Sequence, residues 1–279
     1  MENVIEELQN KKDLRGINKN IIKELIKEYA EREPKNYQKL KQKEFNLKSK
    51  EYTEFKKFIR KKLRNLHGVF QKNKLSDKKQ EKYIKEKNFS FHTDETRKFL
   101  KSHRSTNERL NYYETLYKEI EQEIGTIKKL ADLGCGLNPL SYTLLENIEE
   151  AFCADINEDE IKFIQKFLDK TKIKGNAQVL DLTKKENYEE IKNKTENTDT
   201  CFLFKTLDGL EQIRKGASKE LLKNIKSKNI IISFSTKTIS GKNQINAERK
   251  WFQEILKEQK YENVIRKKIG EEEYHIIKK

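Results

Sequence analysis

A short apolar run, Ile127 to Leu133, ends in Gly134-Cys135-Gly136 and is followed by Asn138-Pro139. No other stretch limits so strongly what this chain can fold into. The run reads as a strand, the glycines as a turn, and Asn138-Pro139 as a helix start, because Asn suits an N-cap and Pro the first helical position. Gly134 and Gly136 let the backbone approach a ligand that a Cβ would block. Asp155, at the end of a second apolar run, lies 19 residues after Gly136. Rossmann-type folds put there the carboxylate that grips ribose hydroxyls. The pattern therefore predicts a nucleoside-containing cofactor. The third glycine, which packs a helix close under a pyrophosphate, is missing, and Pro139 stands there. That favours S-adenosylmethionine (SAM), which has no phosphates. An ordinary strand–turn–helix without ligand would use the same residues.

The charge is uneven. The chain of 279 residues carries +15 overall, and residues 1–110 hold 31 Lys/Arg against 17 Asp/Glu, a net +14. A basic N-terminal part thus precedes a nearly neutral remainder, as expected of an electrostatic footprint for nucleic acid. A solvated Lys-rich surface would give the same count. Cys135, Cys153 and Cys201 are widely spaced and suit free thiols in a reducing compartment. No Cys/His pairing suggests a metal site. The first residues lack the pattern of a secretory signal, and no apolar run approaches the ~18 residues of a membrane span. The expectation is a cytoplasmic protein with no membrane and no metal partner.

Residues 1–125 read as helical. Ile21, Ile22, Leu25, Ile26 and Tyr29 repeat at helix spacing, as do Tyr52, Phe55, Ile59, Leu63 and Leu66. Lys56, Lys57, Arg60, Lys61 and Arg64 occupy the other faces and are candidates for phosphate contact. Residues 71–90 are very polar and read either as an exposed helix or as a segment that orders on RNA. From about 126, apolar runs alternate with helical stretches. Strands are expected at Ile127–Leu133, Ala151–Asp155, Ala177–Leu180, Thr200–Phe204, Ile230–Phe234, Val264–Lys268 and Tyr274–Lys278. A helix capped by Asn157 follows the second. Alternation means a parallel α/β sheet. The last two strands, joined through Gly270, are too close for a crossover and predict an antiparallel hairpin. The fold class is therefore α/β, and five α/β-connected strands ending in a terminal antiparallel hairpin (residues 101–279) resemble the Rossmann-like sheet of SAM-dependent methyltransferases rather than that of a dehydrogenase. A basic all-helical, RNA-docking domain (residues 1–100) precedes it.

Further motifs sharpen the reading. His103-Arg104-Ser105-Thr106-Asn107-Glu108-Arg109-Leu110 precedes the sheet, Phe202-Leu203-Phe204-Lys205 ends the fourth strand, and Ser233-Phe234-Ser235-Thr236-Lys237 ends the fifth. With Asp132-Leu133-Gly134-Cys135-Gly136-Leu137-Asn138-Pro139, these make the chain, from about residue 100 onward, resemble the aminoglycoside-resistance 16S rRNA (guanine-N7) methyltransferases. The resemblance implies that Arg109 holds the carboxylate of SAM. A surface salt bridge with Glu108 or Glu114 is the other reading of that arginine. It further implies that Gly134 and Gly136 pass beneath the methionine part, that Asp155 takes the ribose hydroxyls, and that Asp181 accepts from the adenine amino group. Asp132 would orient the site. Asn138, Ile156 and Leu182 complete the candidate cofactor set. Lys205, the candidate catalytic residue, would lie where cofactor and base meet. Structured RNA, the small ribosomal subunit first, is the implied partner, with tRNA guanine or a non-catalytic assembly role as alternatives. Guanine N7 has a lone pair and no proton to lose, so no general base is required. Phe204, Phe234 and Trp251 are candidates for stacking on a flipped base. The family's Leu-Pro after the strand-four Lys reads Leu207-Asp208 here, and the loop from Gly241 to Trp251 is shorter.

Overall fold

The alternation from residue 126 onward builds a seven-stranded sheet in the computed structural model, which describes residues 2–10, 19–63, 77–85, 89–237 and 249–279. Its strands are β1 (Lys129–Leu133), β2 (Glu150–Asp155), β3 (Lys174–Val179), β4 (Thr200–Phe204), β5 (Asn229–Ser235), β6 (Asn263–Ile269) and β7 (Glu272–Lys278). Their order is β3-β2-β1-β4-β5-β7-β6. The first five are parallel, and β7 inserts antiparallel between β5 and β6. The predicted hairpin thus joins the sheet through its second strand. All seven predicted strands are present. The boundary missed most widely is the start of β3, where Lys174-Gly175-Asn176 precede the apolar residues. An edge strand with one neighbour keeps only part of its length against the core, so its hydrophobic signal is short.

Two apolar clusters cover the sheet's faces, one built on Leu130, Phe202 and Ile231, the other on Ala131, Leu203 and Ile232. Successive residues of one strand point to opposite faces, so continuous apolar runs feed both. A third cluster belongs to the N-terminal helices Glu2–Gln9, Lys19–Arg32, Pro34–Gln42 and Lys50–Leu63. Tyr52, Phe55, Ile59 and Leu63 are buried there.

A break at 100/101 falls inside the helix Asp94–Ser102, whose Phe99 and Leu100 pack with Tyr83, Phe91 and Phe163 in a sheet-side cluster. Residues 77–84 form a helix whose Tyr83 is buried. The polar composition hid this, because a single aromatic anchors that helix. Arg64, Leu66 and residues 71–76 lie outside the described residues, as does the loop 238–248.

One basic candidate is also corrected. Arg60 is buried, with Nη2 donating to the Glu7 carbonyl at 2.6 Å and Nε to that of Leu8 at 3.2 Å. The last carbonyls of a helix have no intrahelical partner, and a guanidinium fork satisfies two of them. Lys57 and Lys61 are exposed, while Lys56 pairs with Glu7 at 3.4 Å.

Candidate cofactor cleft

The strand-to-loop turns at the carboxyl ends of β1 to β4 open one cleft, where open parallel sheets place ligands. Of the candidate residues, Gly134, Gly136, Asp155, Ile156, Asp181, Leu182 and Lys205 line it, together with His103, Ser105, Phe204 and Thr206. Arg109, Asp132 and Asn138 do not. They form a buried network behind the glycine turn.

Gly134 and Gly136 both have positive φ, +81° and +48°, which a Cβ opposes. A Cβ on Gly134 would come within 2.6 Å of Thr206 Oγ1, and one on Gly136 within 3.1 Å of His103 Nε2. Gly134→Ala is therefore expected to strain the turn and displace Thr206, lowering stability by about 1–3 kcal/mol. Urea denaturation measures it.

The turn's amides are occupied from within. Those of Gly134 and Cys135 donate to the Ala154 carbonyl at 2.8 and 3.0 Å, and that of Gly136 donates to Asp155 Oδ2 at 3.0 Å. A dinucleotide site needs such amides open toward a pyrophosphate. The expected helix does start at Asn138, as a 3-10 helix, Asn138–Leu144. Asn138 is no N-cap. Its side chain turns inward, where Nδ2 donates to Asp132 Oδ2 at 2.7 Å and Oδ1 accepts from Tyr113 at 2.8 Å and Arg109 at 3.2 Å. An amide that bridges a buried cation and a buried carboxylate satisfies both.

Asp155 Oδ1 accepts from the Asn157 amide at 3.0 Å. Asp181 Oδ1 accepts from the amide and hydroxyl of Thr183 at 2.9 and 2.6 Å, while its Oδ2 takes no partner among the described residues. Ile156, Leu182 and Leu210 give the cleft apolar walls. Two anchored carboxylates between apolar walls, with no amide nest, fit a nucleoside and not a pyrophosphate.

The buried network holds what the sequence left open. Arg109 is 3% exposed. Its partner is Glu272 on β7, at 2.9 Å from Nε, and neither Glu108 nor Glu114. Its guanidinium also lies 4.9 Å from the Phe204 ring centre. Glu272 accepts from Ser233 Oγ at 2.6 Å and lies 3.2 Å from Lys205 Nζ. Lys205 also pairs with Glu108, which Arg104 holds at 2.8 Å. Burial opposes the charge on Glu272, but Arg109 and Lys205 outweigh it and hold the carboxyl below the usual glutamate range. Lys205 itself adopts φ 58°, a left-handed conformation uncommon outside glycine and often found at functional positions.

Glu272 escaped the sequence reading. Its signal was the alternation Glu272, Tyr274, Ile276 on β7, which puts an acid on the inward face beside two apolar residues. Tyr113, Tyr142 and His103 were missed as well, since isolated tyrosines and histidines carry no spacing. Of the stacking candidates, Phe204 lines the cleft, whereas Phe234 is core and Trp251 packs at its edge. The departure at Asp208 has a structural consequence: Arg249 pairs with it at 2.8 Å and covers the Phe234 ring at 4.9 Å.

Burial lifts the Asp132 carboxyl to about 6, against hydrogen bonds from Tyr142 and Asn138 that lower it. A folded-state value above the ordinary 3.8 means that the native state binds more protons in between. Stability therefore falls as pH rises through that window, and the loss persists above it. At neutral pH it amounts to roughly 3 kcal/mol. Asp132→Asn removes the charge and keeps an acceptor oxygen. It is expected to be more urea-resistant than the wild type at pH 7 and to lose that advantage near pH 4.

Among the described residues no helix is long and apolar enough to cross a membrane, and no cluster of three metal-ligating side chains occurs. Cys135, Cys153 and Cys201 are buried free thiols.

The chain is similar to a 16S rRNA (guanine(1405)-N(7))-methyltransferase of Frankia casuarinae, 27% identical over 147 residues, 52% of this chain and 50% of that protein. It is 28% identical over 204 residues to one of Proteus mirabilis, covering 68% and 70% of the two chains. It spans about half the length of the first of these curated relatives. The structure of the 16S rRNA methyltransferase RmtF, solved with S-adenosyl-L-homocysteine (SAH), superposes with a TM-score of 0.70 over 100% of this chain and 97% of that one, at 20% identity. The family model described as "Ribosomal RNA methyltransferase (FmrO)" matches residues 91–274, which take in the cleft and its supporting network, and the chain belongs to that family.

Proposed function

We propose that this protein transfers a methyl group from SAM to N7 of a guanine in structured RNA, most directly small-subunit rRNA in the cytoplasm. The observation that carries the reading is the cleft itself: two anchored carboxylates, a glycine turn with its amides already occupied, and apolar walls. Family membership adds the RNA class.

In this reading Asp155 accepts the ribose hydroxyls and Asp181 the adenine amino group. Ile156, Leu182 and Leu210 cover the adenine faces. Arg109 would serve the methionine end from behind the glycine turn, its guanidinium held by Glu272, Tyr113 and Asn138. Asp132 and Asn138 hold Arg109 and the turn in register. Bound SAM supplies an electrophilic methyl on a sulfonium. The N7 lone pair would displace SAH from that methyl, the S–CH3 bond breaking as the N–CH3 bond forms, so these side chains would only need to align the reactants and tolerate the charge left on the base. Lys205 fits that requirement, because Glu108 and Glu272 neutralise its ammonium. The base therefore meets no bare cation there. The exposed Lys57 and Lys61 of the bundle would dock on phosphates, so RNA binding is expected to weaken steeply between ~50 and ~200 mM salt. A salt-insensitive affinity would count against that docking face.

The test is transfer of radiolabel from SAM to purified small ribosomal subunits and, separately, to unmodified tRNA, followed by borohydride–aniline scission at 7-methylguanosine. Label and scission in small-subunit rRNA support the reading. Label only in tRNA overturns the substrate, and absence of SAM binding overturns the enzyme.

A further inference from the structure

The N-terminal bundle touches the cleft's rim at three separate points. Ile156 lines the cleft, yet it belongs to the same apolar cluster as Ile22, Leu25, Ile59 and Leu63 of the bundle. Lys184, just beyond Asp181, pairs with Glu24 of the helix Lys19–Arg32. Lys62, in the helix Lys50–Leu63, donates to the carbonyl of Ile213 at 3.3 Å and is held by Glu28 at 2.9 Å. Ile213 is itself a lining residue. The last two points are joined, since Arg214 Nε donates to the Thr183 carbonyl at 2.9 Å.

These contacts fall on the segments after β2, β3 and β4, the ones that carry the proposed ribose and adenine partners. A loop that is loose before binding loses conformational freedom on binding, and one already pinned does not. The bundle pins all three from behind.

We propose that the N-terminal bundle backs the walls of the cofactor cleft, and that Glu24 and Lys62 determine the affinity for SAM without touching it. The proposal rests on the SAM reading above. Linkage makes the effect reciprocal: whatever steadies the bundle, docked RNA included, tightens cofactor binding by the factor that cofactor tightens the bundle.

The test uses the full chain and SAH. Calorimetry compares the wild type with Glu24→Gln/Lys62→Met, a variant that leaves every proposed cofactor contact in place. Hydrogen exchange of the wild type is followed with and without SAH. The expected results are SAH binding weakened roughly fivefold in the variant, and slower exchange in the helices Lys19–Arg32 and Lys50–Leu63 when SAH is present. Thermal melting checks that the variant is folded. If either result is missing while the wild type binds SAH, the bundle is a bystander and the proposal falls. If the wild type itself does not bind SAH, the cofactor reading fails first and takes the proposal with it.

Discussion

Asp155→Ala is expected to weaken SAH binding by at least about 100-fold while leaving a folded protein. The carboxylate would make two charge-assisted bonds to ribose hydroxyls, each worth about 1.5–3 kcal/mol. It also fixes the cleft, because Oδ2 holds the Gly136 amide and Oδ1 the Asn157 amide. Alanine removes the ligand's partner and releases the turn beneath it. Asp155→Asn separates the two contributions. Its amide retains one acceptor oxygen, but the NH2 group opposes one of the two backbone N–H groups. An intermediate loss is therefore expected. Calorimetric titration with SAH, alongside thermal melting, reads both variants. Wild-type affinity in the alanine variant would remove Asp155 from the site.

Glu272→Ala is expected to be the most destabilising single change in the cleft's supporting network, at about 3–5 kcal/mol. The side chain is 2% exposed and faces Arg109, which is 3% exposed. Deleting the carboxylate leaves a buried guanidinium whose nearest countercharge is gone, and it also strips Lys205 and Ser233 of a partner. Glu272→Gln keeps the shape and an acceptor, so a smaller loss is expected. The pH dependence gives a second readout. The folded-state value of Glu272 lies below the ordinary 4.5. Its contribution is thus fully present above about pH 4.5 and disappears as pH falls toward the folded value. The wild type should lose this part of its stability on acidification, and Glu272→Ala should not. Urea denaturation at pH 7 and below 4.5 decides it. Equal stability of variant and wild type at pH 7 would mean that Arg109 finds another partner.

The two predictions differ in how far the sequence announced their residues. Asp155 was visible because strand ends and glycine turns are local: an apolar run, a turn and a fixed spacing specify where the chain meets the cleft. The same locality exposed Asn157 as an N-cap, the succession of strands along the chain, and the terminal hairpin. Asn138 shows the limit. Its sequence suits a cap, yet two buried charges, Arg109 and Asp132, draw the amide inward, and the following turn winds as a 3-10 helix. Arg60 is a second case. It sits in a basic stretch that reads as a phosphate face, but the open carbonyls of the first helix capture it.

By itself, then, the sequence determined an α/β sheet, a cleft at the ends of its first four strands, and the side chains that reach that cleft on local turns. The tertiary structure alone decided which charges neutralise one another. Arg109 and Glu272 stand 163 positions apart along the chain, and Lys205 and Glu108 stand 97 apart. It also decided that the N-terminal helices close against Ile156 and that the boundary between the two cores falls before Tyr83. Pairing of distant charges and packing of distant apolar faces depend on how the sheet stacks its strands, and sequence spacing carries no record of that stacking.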